Sequence, residues 1–138
     1  MIRAVAIALL VACGHPAPVH DGTRVPTTKS VQLNQPGEPV ELAPALPSGY
    51  VSVVDFWSES CGACTVVGGM LAVQVAHADG VVIRKIDVGD GFTAVAKQFQ
   101  IGALPHYNIY DKARKLRYVL VGNDCLKAPE LAIQLAAE

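Results

Sequence analysis

The chain has 138 residues, a formal net charge of −1, and 51% hydrophobic against 17% charged residues. That length fits one domain with a tail, the apolar content excludes wholesale disorder, and the balanced charge excludes a dedicated nucleic-acid binder. Four cysteines are too few for a disulfide-dense scaffold and enough for one site plus a remainder.

The first twelve residues, MIRAVAIALLVA, are apolar except for Arg3. Their unbroken apolar run, 4–12, is nine residues long, well short of the about 20 that a membrane-spanning helix needs. One basic residue, a short apolar core and small residues before a break describe a secretory signal over residues 1–12. Leu10-Val11-Ala12-Cys13 resembles a bacterial lipobox, in which the chain is cut before the cysteine and the cysteine carries lipid. An ordinary signal with an incidental cysteine is the alternative. Residues 13–39 then read as a lipidated Cys13 followed by a linker. Five prolines (16, 18, 26, 36 and 39) favour an extended, poorly packed tether. His15 and His20 in it read as surface filler.

The globular domain is expected over 40–138. Val40-Glu41-Leu42 reads as a short strand, closed by the turn residues Pro44, Pro47 and Gly49. Tyr50 to Trp57 is a β-branched and aromatic run, the pattern of a strand buried on both faces of a mainly parallel sheet. A helix is expected from Cys61 to about His77, weakened locally by Gly68-Gly69. Val81 to Val88 reads as the next strand. Phe92, Val95, Ala96 and Phe99 recur at i, i+3, i+4, i+7, a helix face. His106 to Tyr110 and Leu116 to Val121 form a hairpin through a charged turn. A last helix starts near Pro129, a favoured first-turn residue. This order predicts an α/β fold with a mixed central sheet flanked by helices.

Cys61-Gly62-Ala63-Cys64 falls between the apolar strand and its helix. A cysteine at a helix N-terminus faces unpaired backbone N–H groups and the positive end of the dipole, which favour thiolate. Cys61 is then the exposed nucleophile and Cys64 the buried resolving thiol. A C-x-x-C is also half of many zinc sites, but no second half with the right spacing is present in the sequence.

With these residues in view, the chain resembles the thioredoxin family from Val40 to Glu138. Val54-Asp55-Phe56-Trp57 followed by Cys61-Gly62-Ala63-Cys64 is similar to the family's active-site segment, and Gly102-Ala103-Leu104-Pro105 to its cis-proline loop. The 44-residue separation of Cys61 and Pro105 is also similar. The resemblance implies a redox-active Cys61–Cys64 disulfide and no other cofactor. It implies a buried acid at Asp55 assisting proton transfer at Cys64, with a raised pKa, and a neighbouring lysine at Lys85. It also implies a substrate-binding surface of Trp57, Leu104, cis-Pro105 and His106. The Gly62-Ala63 spacer, Ser60 before the first cysteine and Gly69 in the helix depart from the family's usual residues. Cys125 is left over, with a buried, inert thiol as the expectation.

The function expected is a thiol–disulfide oxidoreductase of the bacterial cell envelope, reducing disulfides in exported proteins. It would be held at a membrane by lipid and recharged by a membrane thiol donor, with no nucleic-acid partner. One alternative is a copper(I)-handling envelope protein using Cys61, Cys64 and His106, since soft ligands favour that ion. Another is a binding module whose thiols are inert.

Overall fold

The computed structural model describes residues 27–138. The expected signal, the anchor at Cys13 and the first half of the linker lie outside the described residues. Five strands make one sheet: β1 (Ser30–Gln32), β2 (Val51–Trp57), β3 (Val81–Asp87), β4 (His106–Tyr110) and β5 (Leu116–Val121). Their spatial order is β1-β3-β2-β4-β5. The first three are mutually parallel, β4 runs antiparallel to β2, and β5 runs antiparallel to β4. β2 is buried at its first six positions because it is the central strand, covered on both faces, which suits its unbroken apolar sequence.

Helices cover both faces. α2 (Gly62–Val75) and α4 (Ala128–Ala137) bury Leu71, Val75, Ala132 and Leu135 against Val51, Val53, Tyr107 and Ile109. On the opposite face α3 (Ala94–Gln98) packs Val95 and Ala96 against Val54, Phe56 and Ile86. A one-turn helix α1 (Leu42–Ala45) and Leu46 close that second cluster. A 3-10 turn, Gly122–Lys127, links β5 to α4.

The structure corrects the N-terminal part of the sequence reading. No strand forms at Val40–Leu42. The first strand is Ser30–Gln32, inside the segment assigned to the linker, and it pairs with β3 from Ser30↔Ile83 to Gln32↔Lys85. The outer edge of β3 presents N–H and C=O groups that need partners, and the extended segment supplies them. Two cationic side chains secure it. Lys29 Nζ donates to the carbonyls of Ala78 and Val81. The buried Arg84 guanidinium donates to the carbonyls of Thr28, Ile83 and Ala45 at 2.8–3.1 Å. Val40 needs no strand partner, because the Gln98 amide donates to its carbonyl at 2.7 Å and accepts from its N–H at 3.1 Å.

The third helix is also shorter than its apolar spacing predicts. Thr93 caps α3, accepting from Ala96 N and donating to Val88 O at 2.7 Å. Gly37 (φ +81°) crosses this cap so closely that a Cβ on it would lie 2.7 Å from Thr93 Cγ2. Phe92 precedes the cap and is 86% exposed, so it is not part of the helix face.

Candidate active site

Cys61 is the N-cap of α2 and is bonded to Cys64 in a disulfide, with Cα atoms 5.2 Å apart. Its Sγ accepts a hydrogen bond from the Cys64 N–H at 3.1 Å. That amide is one of the first-turn donors with no partner within the helix, so the Cys61 sulfur sits where developing negative charge is stabilised. Cys61 is half-buried and Cys64 is buried, which matches an attacking and a resolving thiol. The three-residue spacing does this by placing the second sulfur one turn into the helix, on its inner side.

A cleft of about 490 Å³ opens beside Cys61, between the 88–92 and 101–104 loops. Leu104 lines it, and the bond from Leu104 to Pro105 is cis. Asp90 and the exposed Phe92 also line it.

Asp55 lies beneath α2, 2% exposed. Burial pushes its carboxyl up to about 6, against the opposing pull of the Lys85 ammonium. Lys85 is its register partner on β3 and stacks over the Trp57 ring, 4.5 Å from the centroid. The Trp57 indole in turn donates to Gln32 Oε1 at 3.1 Å. Asp55, Lys85 and Trp57 are thus linked across β2 and β3, and Cys64 lies on α2, the helix that covers Asp55.

His106 goes elsewhere. Its ring packs edge-on against Phe56, with centroids 5.5 Å apart, and its Nε2 shares a hydrogen bond with Asn108 Oδ1 at 3.1 Å. Burial holds its pKa below the usual 6.5, against the Asn108 bond. It is a core side chain on the α3 face. Among the described residues no three of His, Cys, Asp and Glu come together as a metal site, so the alternative copper set of Cys61, Cys64 and His106 is not assembled.

Three residues enter the site that sequence reasoning did not place there. Tyr107 is fully buried on β4 opposite Asp55. Gly68 lies above both. Cys125 is buried as expected, its thiol donating to Leu120 O at 3.4 Å. Burial, then the Asp55 charge, push that thiol up to about 11, so it stays protonated and unreactive. The alternation of His106-Tyr107-Asn108-Ile109-Tyr110 puts Tyr107 on the Asp55 face, a signal available once the pairing of β2 with β4 is known.

A family model described as Thioredoxin matches residues 46–131. Thioredoxin of Coprinus comatus is 27% identical over 78 residues, covering 55% of this chain and 73% of that protein. Thioredoxin of Mycoplasma pneumoniae is 28% identical over 75 residues, covering 54% and 72%. Among solved structures, reduced Schistosoma mansoni thioredoxin pre-protein superposes with a TM-score of 0.61 at 21% identity, covering 78% of this chain and 99% of that one. The short form of thioredoxin f from spinach chloroplast gives 0.62 at 18% identity, covering 80% and 95%.

Proposed function

The chain belongs to the thioredoxin family, and from that premise we propose that it reduces protein disulfides in the bacterial cell envelope through Cys61 and Cys64. The observation that carries this reading is the Cys61–Cys64 pair at the start of α2, on the helix that covers the buried Asp55. In the dithiol form, the Cys61 thiolate attacks one sulfur of a substrate disulfide. A mixed disulfide forms and the other substrate sulfur leaves as a thiolate, which takes up a proton. The Cys64 thiol passes its proton to the Asp55 carboxylate, and Cys64 Sγ attacks Cys61 Sγ. The Cys61–substrate bond breaks, the second substrate sulfur leaves and is protonated, and two electrons have moved from the dithiol to the substrate. Leu104 and cis-Pro105 present the backbone against which an extended substrate strand lies beside Cys61.

The envelope location rests on residues 1–13: a signal over 1–12 and Cys13 as the lipid-bearing residue. An envelope reductant draws its electrons from a membrane thiol donor, and its substrates are exported proteins. The reduction potential of Cys61/Cys64, measured against glutathione, tests the direction of transfer. A value near the strongly reducing end supports this function, and one near the strongly oxidising end replaces it with an oxidase. Cys64→Ser is expected to accumulate the mixed disulfide and so identify the substrate. Mass analysis of the mature N-terminus decides whether Cys13 carries lipid.

A further inference from the structure

Among the described residues, three buried side-chain oxygens have no hydrogen-bond partner: Ser52 Oγ, Asp55 Oδ1 and the Tyr107 hydroxyl. Two of these groups meet. Asp55 on β2 and Tyr107 on β4 are directly paired across the antiparallel ladder, so their side chains leave the same face of the sheet. Gly68 covers them both, one turn beyond Cys64 on the same stripe of α2. A methyl group on the Gly68 Cα would sit 3.4 Å from Asp55 Oδ2 and 3.8 Å from the Tyr107 hydroxyl. The Asp55 carboxyl, through Oδ2, and the Tyr107 hydroxyl thus both border the space in front of Gly68, which the glycine leaves clear of side chain. A phenylalanine at 107 would fill the strand position without burying a hydroxyl, and a buried polar group is normally satisfied by protein or by ordered water.

We propose that Tyr107 is a positioning residue for Asp55: its hydroxyl and the Asp55 carboxyl hold one water molecule between them in front of Gly68, and this link favours the ionised carboxylate that serves Cys64. Tyr107 donates a hydrogen bond to the water and the water donates to the carboxylate. Tyr107 keeps its own proton throughout, because burial and the Asp55 charge both push its pKa up. The inference rests on the dithiol reading above and adds a residue to its proton step.

The groups around Asp55 are few. Lys85 faces it from β3, Tyr107 from β4 and Cys125 from the 3-10 turn, and Cys64 lies one turn before Gly68 on α2. Apart from its cysteine, α2 carries no ionisable side chain, and Glu130, the one charged residue of α4, is exposed. Lys85 supplies the fixed positive charge and Cys125 stays a neutral thiol. Tyr107 is left as the neutral donor.

The test follows the Asp55 carboxyl carbon by NMR across pH in the oxidised full-length protein, and the pH dependence of insulin reduction by the reduced protein. Tyr107→Phe is expected to raise the Asp55 midpoint by about half a pH unit or more and to move the rate profile equally. Gly68→Ala, whose methyl crowds the space between the carboxyl and the hydroxyl, is expected to raise it too. The double variant is expected to shift no further than Tyr107→Phe alone, since both changes break one link. Unmoved midpoints in the single variants, or fully additive shifts, would overturn the proposal and leave Tyr107 as core. Should Tyr107→Phe not fold, the Tyr107 ring carbon bearing the hydroxyl decides the matter. Its step at the Asp55 midpoint must shrink in Gly68→Ala, and an undiminished step rejects the water link. A rate profile that persists in Asp55→Asn would instead reject Asp55 as the proton acceptor, independently of the NMR result.

Discussion

On the α3 face of the sheet, His106 bonds Asn108, Gln98 clasps both backbone groups of Val40, and Arg84 reaches three carbonyls. On the α2 face, Asp55 and Tyr107 keep oxygens with no protein partner, beside the Cys61–Cys64 disulfide. Both faces bury polar groups in an otherwise apolar core. The exception on the α3 face, Ser52 Oγ, is a neutral hydroxyl. Buried polar groups with partners fix one packing, whereas a carboxyl buried without them is held ready to exchange a proton. The difference locates the chemistry on one side of the sheet and the scaffold on the other.

The comparison can be broken at its scaffold side first. Phe56 is fully buried between the Phe99 and His106 rings, at 5.1 and 5.5 Å. Phe56→Ala is expected to cost about 3–5 kcal/mol in urea unfolding. Its effect on the Cys61/Cys64 potential should be small, and a large one would show that the faces are not separate.

Asp55→Asn probes the other side and has the opposite sign. The folded value of about 6 lies above the ordinary 3.8, so the unfolded chain loses its proton first as pH rises. The contribution of this group is fully present below about pH 4, falls between about pH 4 and 6, and stays low above that. The difference corresponds to about 3 kcal/mol. The asparagine variant of the oxidised protein should therefore be more stable by about that amount near pH 8 and nearly unchanged near pH 4. Parallel urea titrations at the two pH values check this, and equal effects at both would remove Asp55 from the chemical side.

Arg84→Met retains much of the side chain's bulk and deletes its donors to Thr28, Ile83 and Ala45. A loss of about 1–3 kcal/mol is expected, with faster proteolysis of residues 27–39. The smallest effect is expected at Asn108→Ala, about 1 kcal/mol. Its sharper readout is His106. Burial already holds this imidazole below 6.5, and the Asn108 bond opposes that, so the variant's midpoint should fall further. Because the folded value is depressed, the neutral ring stabilises the fold above 6.5, and that contribution is lost as pH falls. Proton NMR of the His106 ring follows the midpoint directly.

Sequence periodicity is most informative where burial is complete. β2 and β3 lie within a residue or so of their expected limits, because strands covered on both faces carry an unbroken apolar signature, whereas the β4–β5 hairpin is marked by the charged turn between its strands. Cys61 and Cys64 are legible for a different reason: their spacing and place before a helix carry the chemistry themselves. β1 is illegible because it has three residues, two of them polar, in a proline-rich setting, and it forms only when β3 offers an edge. Phe92 has helical spacing but not helical structure, since the Thr93 cap starts the helix after it. Tyr107 and Gly68 matter only through a pairing between distant strands and a close approach of helix to sheet, and neither leaves a local pattern.

The brevity of β1 bears on how copies of the molecule meet. An exposed strand edge is a template on which another chain can pair, and long, flat edges are the ones that aggregate. β1 closes off β3 with a strand that offers a newcomer only three residues. The opposite edge, β5, is six residues long and more open. There Arg117 is held by Asp111 and Glu138, each at 3.3 Å, and this charged cluster makes the longer edge costly to bury. One edge of the sheet is thus guarded by being short and the other by being charged.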